Sequence, residues 1–173
     1  MNSLLSVRGF TPKLGKDCFI APNAMVIGDV IMGDRCSIWF NVTLRGDVMP
    51  LRVGHEVNIQ DGSVLHGTQN KVGVTIGDRT TIGHNVTLHG CSIGRECLIG
   101  MGSLLMDEAS IGDKSVVGAG SLVTESSKFP GGVLILGRPA KVIRELKPEE
   151  IAFLSQSADN YLKYKTWYTE ARA

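Results

Sequence analysis

Aliphatic residues recur along this chain at every sixth position, with small and polar residues between them. From Leu14, a step of six lands on Ile20, Val26, Met32, Ile38 and Leu44. After a three-residue insertion around Met49-Pro50 the series resumes at Val53, Ile59 and Leu65. After a second insertion, Gln69 to Thr75, it resumes at Ile76, Ile82 and Leu88. One residue is then dropped, and Ile93, Ile99, Leu105, Ile111, Val117 and Val123 complete eighteen hexads. The second position is Gly in nine of them, and the fifth is usually small, as at Cys18, Ala24, Cys36, Ser103 and Ser121. An aliphatic-Gly-x-x-small-x hexad predicts a parallel β-helix in which each unit forms a short strand and a turn. The glycines serve turns that other residues would strain.

The repeat resembles that of the left-handed β-helix family, whose triangular section implies three hexads per coil and about six coils. An antiparallel β protein with accidental sixfold spacing is the alternative. The expected layout is a lead-in over residues 1–13, the β-helix over 14–127, a connecting segment over 128–147 and an α-helix over 148–171. The connecting segment contains LGRPAKVIREL, which carries the chain off the coil. From Pro148, Ile151, Leu154, Ala158, Tyr161, Leu162 and Lys165 fall near helical spacing, with Pro and two Glu in the first turn. This helix is expected to pack on the coils and to cap the last open strand edges, which a solenoid must protect.

Composition agrees with a repeat. There are 21 glycines in 173 residues, well above average usage of roughly 7 %, and only 6 % of residues are aromatic. A hydrophobic fraction of 43 % is too large for a disordered chain. Net charge is +1, so bulk electrostatics point to neither nucleic acid nor an anionic membrane. The start, MNSLLSVRGF, lacks a basic region followed by a long apolar stretch, and no window approaches 18 consecutive apolar residues, so a cytoplasmic location is expected. Cys18, Cys36, Cys91 and Cys97 match neither a zinc C-x-x-C pair nor a secreted disulfide scaffold. Three of them sit at inward-facing small positions, where a thiol behaves as a small hydrophobe.

The register places candidate chemistry. Hexads three apart lie above one another, roughly 4.8 Å apart. His66 and His89 are the second residues of hexads three units apart, so their imidazoles stack on adjacent coils where Gly is the usual choice. Departures from a structural rule of this kind mark function. Arg45 holds the same position one coil below. His84, the third residue of the Ile82 hexad, belongs to another face, with Gln60 and Asp61 one coil below it. A neighbouring copy related by a threefold axis could present that face to the His66/His89 pair, which predicts a homotrimer with metal sites shared between chains. His55 lies on the third face and is assigned no role. Three neutral imidazoles leave a fourth position for water, the arrangement of catalytic rather than structural zinc. Such an ion brings the pKa of bound water to around 7, and attack on a small electrophile such as CO2 follows. Ferrous iron and cobalt would accept the same ligands.

The segments WFNVTLRGD (39–47), NIQDGSVLH (58–66) and IGHNVTLHGC (82–91) closely resemble those of gamma-class carbonic anhydrases and their bacterial relatives. The resemblance covers nearly the entire chain. It implies that His66 and His89 of one subunit, with His84 of the next, hold zinc in a trimer that interconverts carbon dioxide and bicarbonate. It further implies that Arg45 and Asp47 form inter-subunit salt links, that Gln60 orients the metal-bound water or bicarbonate, and that Asp61 supports the interface. Tyr161 is a further candidate for a residue reaching the site. Two departures stand out. The archetypal gamma enzyme has Glu after the residue matching Asp47, where this chain has Val48. It also carries a long acidic loop with a proton-shuttling Glu after the first His, where this chain has only GTQNKVGVT (67–75). Loss of a shuttle limits turnover even when the metal site is intact.

Two other functions fit the hexad. One is a coenzyme A-dependent hexapeptide acyltransferase, in which an interfacial His acts as general base. The other is a non-catalytic, metal-stabilised trimeric scaffold that keeps the site without the turnover.

Overall fold

A computed structural model describes residues 3–170. The hexad openers stack into three rows of parallel rungs. Leu14, Met32, Val53, Ile76, Ile93, Ile111 and Phe129 form the first face. Ile20, Ile38, Ile59, Ile82, Ile99, Val117 and Ile135 form the second. Leu4, Val26, Leu44, Leu65, Leu88, Leu105 and Val123 form the third. The result is a parallel β-solenoid of about seven turns whose core is the continuous column of these aliphatic side chains. Most strands are only two or three residues long, because every sixth residue must turn inward and the chain must bend between. Two long strands, Met25–Met32 and Thr43–Val53, pass round a corner and join the third face to the first. Glycine is required where these strands approach: a Cβ on Gly28, whose φ is +74°, would lie 2.5 Å from the Gly46 carbonyl oxygen.

The solenoid extends beyond both expected boundaries. In the lead-in, Leu4 and Leu5 already pair in parallel with Val26 and Ile27. At the other end the sixfold step continues to Phe129 and Ile135, within the segment expected to leave the coil. Pro130 and Leu136 stand at the second positions there, so the glycine signature disappears while the inward rows persist. On the second face the last rung, Val133–Gly137, is covered by an antiparallel strand, Ala140–Glu145, and the C-terminal helix packs on earlier coils.

That helix, Pro148–Glu170, lies along the side of the solenoid against the Ser37–Ile38 and Thr81–Ile82 strands. Its expected end at residue 171 lies outside the described residues. Leu154, Ser157, Ala158 and Lys165 are its buried stripe. Glu150 caps its start, accepting the Lys147 N–H at 2.8 Å and two bonds from Arg144. Lys165 Nζ donates to the carbonyls of Asp17 (2.7 Å) and Arg35 (3.0 Å), and burial lowers its pKa. This polar anchoring fixes the helix against one corner of the first coils. All four cysteines are free thiols. Burial pushes Cys91 up to about 12 and Cys97 up to about 11, as expected of packing residues. No helix among the described residues is long and apolar enough to cross a membrane.

Candidate metal centre

Parallel pairing sets His66 directly beside His89 on adjacent coils of the third face. Their rings lie 5.4 Å apart at 58°, with His66 Nδ1 3.4 Å from His89 Nε2. Each imidazole is held from behind by a carboxylate. His66 Nε2 lies 3.0 Å from Asp47 Oδ1, and His89 Nδ1 lies 2.7 Å from Asp107 Oδ1. Asp47 also accepts from Arg45 Nη1 at 2.8 Å, and Asp107 from Thr68 Oγ1 at 2.6 Å.

Partial burial opposes ionisation of Asp47, but the hydrogen bonds from Arg45 and His66 outweigh it and hold its pKa below the ordinary value. Asp107 behaves alike, with Thr68, His89 and Lys71 outweighing burial. Both carboxylates are therefore acceptors at neutral pH, and the tautomer that pairs with them carries its N–H on the ring nitrogen facing each aspartate. In those tautomers His66 Nδ1 and His89 Nε2 present lone pairs to one another. Two nitrogens each about 2.05 Å from one tetrahedral ion are separated by about 3.3–3.4 Å, so the observed pair has the spacing of two ligands. A carboxylate behind each ligating histidine is the usual outer support of such a site. The donor set fits a divalent metal.

His84 stands apart from this pair. It lies on the second face, with Nδ1 3.0 Å from Asp61 Oδ2 and no partner for Nε2 among the described residues. Its side chain is 41 % exposed, so the free nitrogen can meet another molecule. Among the described residues, no three His, Cys, Asp or Glu side chains of one chain form a metal cage. Gln60, on the same face as His84, is buried. Its Nε2 donates to Asn58 Oδ1 (3.1 Å), Asn58 Nδ2 donates to Thr81 Oγ1 (2.9 Å), and Thr81 meets Ser157 of the helix (3.1 Å). Tyr161 packs edge-on against Trp39 and shares a cavity with Asp61, placing it on the His84 side of the molecule. Burial and the nearby Asp61 charge raise its pKa. Arg45 and Asp47, expected to link subunits, pair with each other inside the chain.

His55 has a structural task. Its Nδ1 accepts the Asp34 N–H at 3.0 Å, while its own N–H is accepted by Asp78 Oδ1 at 2.7 Å. Asp107, Thr68 and Lys71 escaped the sequence reading. Asp107 is the third residue of the Leu105 hexad, one coil above His89. The register would have flagged it had third positions on that face been compared with second positions.

Residues 11–46 and 90–125 match the family described as bacterial transferase hexapeptide (six repeats), and residues 73–106 match the hexapeptide repeat of succinyl-transferase. A carbonic anhydrase of Geobacillus kaustophilus (strain HTA426) is 44 % identical, with 93 % of this chain and 88 % of that protein covered. The mitochondrial gamma carbonic anhydrase 1 of Arabidopsis thaliana is 43 % identical over 92 % of this chain, which spans 60 % of that relative's length. A crystal structure of a putative acetyltransferase from Bacillus cereus, the product of the BC4754 gene, superposes with a TM-score of 0.94 at 40 % identity and 97 % coverage of each chain. On these similarities, and on the hexads that carry them, the chain belongs to the gamma-class carbonic anhydrase-like family of hexapeptide-repeat proteins.

Proposed function

We propose that His66 and His89 of one chain, with His84 of a neighbouring copy, hold a divalent ion in a homotrimer, and that the site hydrates CO2 reversibly. Zinc is the preferred ion, with ferrous iron and cobalt as alternatives. The observation that carries this reading is the pair of facing imidazole nitrogens at 3.4 Å, each ring backed by an aspartate. When bound, the ion supplies Lewis acidity, lowering the pKa of water enough to offer a nucleophile near neutral pH. The chain's own residues hold the rest in place. Asp47, Asp107 and Asp61 keep protons on His66 Nε2, His89 Nδ1 and His84 Nδ1, so that the opposite nitrogens stay free. Gln60 is fixed through Asn58 and Thr81 as a polar group for water or bicarbonate, and Tyr161 closes the apolar side.

Surface chemistry supports a shared site. Met101 is 57 % exposed one coil above His84, and Met106 is 38 % exposed one coil above His89. Both faces that would meet therefore carry an apolar residue directly above the candidate ligands. The short 67–75 loop spends Thr68 and Lys71 on Asp107, so it positions a ligand's partner instead of moving protons. Slow, buffer-dependent turnover in the cytoplasm is the expected behaviour.

Metal analysis of chelator-free protein is expected to find about one ion per chain, and stopped-flow CO2 hydration to rise with buffer concentration. Absence of stoichiometric metal would refute the mechanism. Metal without hydration above background in strong buffer would favour the scaffold. Saturable acetyl-coenzyme A binding by calorimetry would favour the acyltransferase.

A further inference from the structure

The solenoid core is aliphatic, and the chain has only ten Phe, Trp and Tyr residues. Six of them, including both tryptophans and all three tyrosines, line one cavity of about 250 Å³ between the helix and the second face. Trp39 forms its floor. Tyr161 and Tyr168 stand edge-on to that ring at 77° and 85°, with centroids 5.6 and 5.3 Å away. Phe40 meets Tyr168 at 5.7 Å, and Tyr164 links Tyr161 to Trp167. If the aromatics served only to glue the helix down, the rings would be consumed in packing. Instead, within a single chain Trp167 is 56 % and Tyr168 39 % exposed, and open space remains among them.

Asp61 is the one charged residue lining this cavity among those described. Its Oδ2 already faces His84 Nδ1, so it offers the cavity a negative field more than a full set of hydrogen-bond acceptors. Trp39 Nε1 is committed to Ser37 Oγ at 3.1 Å, and burial with the Asp61 charge keeps the Tyr161 phenol protonated. π-faces plus one carboxylate attract a cation. A primary ammonium would bring three N–H donors that need acceptors, whereas a fully alkylated ammonium brings none.

We propose that the cavity bounded by Trp39, Tyr161, Tyr164, Trp167 and Asp61 binds a small quaternary ammonium compound. The cage does not require a metal at the histidines. Because Asp61 also holds His84, an occupant would bias that histidine.

The test is calorimetric titration of the full-length, assembled protein with tetramethylammonium and choline chlorides, against sodium chloride at equal ionic strength. Intrinsic fluorescence is read in parallel, since both tryptophans line the cavity. Saturable binding of both cations, absent with sodium, is expected. Trp167→Leu should weaken it about tenfold, and Asp61→Asn should weaken it while far-ultraviolet circular dichroism stays unchanged. Phe153→Leu, which alters an exposed aromatic of the same helix outside the cavity, should leave it intact. No saturable signal, a signal equal to that of sodium, or binding that Trp167→Leu leaves intact would overturn the proposal. Binding of adenine nucleotides in place of the cations would overturn it too, by marking a stacking platform.

Discussion

Two of the polar stacks that run up the solenoid do opposite things. At the corner after the first face, Asp17, Arg35, Glu56, Arg79, Glu96 and Lys114 follow one another with alternating sign, all at φ between 51° and 58°. Glu56 is shared by Arg35 and Arg79, and Arg79 reaches on to Asp159 of the helix. Glu96 pairs with Lys114 in the same way, so most of these charges meet an opposite charge on an adjacent rung or on the helix. On the third face His66 sits on His89 with no anion between them; their carboxylates lie behind. That column is satisfied everywhere except between the two nitrogens. A repeat brings like positions together whether or not they attract, and the stacked imidazoles are where the proposed ligand would sit. His55, beside the first column, is bonded on both sides by the backbone and side chains of adjacent coils and is structural.

Substitutions should separate the two columns. The largest effect is expected for His89→Ala, which should abolish stoichiometric metal while the solenoid still folds; full metal retention by mass spectrometry would erase the distinction. Next, Asp107→Ala should lower metal affinity about 10- to 100-fold in chelator competition, with little change in oligomeric state. Glu56→Ala should do the reverse. Leaving Arg35 and Arg79 without their shared anion should cost roughly 1–3 kcal/mol in chemical denaturation, the exposure of Arg35 reducing the effect, and metal content should not change. The smallest effect concerns the helix start. Arg144 and the Lys147 N–H hold Glu150 at about 2, below its usual 4.5. Its stabilising contribution is therefore present above about pH 4.5 and lost as pH falls toward 2. The acid melting profiles of wild type and Glu150→Gln should converge across that window, and a constant offset would contradict the assignment.

Much of this was legible in the sequence because the hexad is a ruler. Once Leu65 and Leu88 are indexed three units apart, the His66/His89 contact follows, and so does the separation of His84 onto another face. Residues placed by turn geometry were less legible. Thr68 sits beside the insertion that breaks the sixfold step, and Asp107 is found only when third positions are compared with the second positions of the coil below. Phe129 and Ile135 keep the step but lose the glycine, so the hexad signature stops before the coil does. The aromatic cavity was not legible either, since it depends on how the helix docks, and Lys165 anchors that helix through backbone carbonyls that carry no sequence signature.

Subunit complementation tests the shared site most directly. His84→Ala and His89→Ala proteins, each prepared alone, should lack stoichiometric metal. Unfolded together, mixed and reassembled, they should regain it at the interfaces that join an intact His66/His89 face to an intact His84, about one interface in four under random mixing. Recovery of metal in the mixture and not in either parent is the predicted result; a mixture as empty as its parents, or a His84→Ala parent that keeps its full complement of metal, would contradict the account.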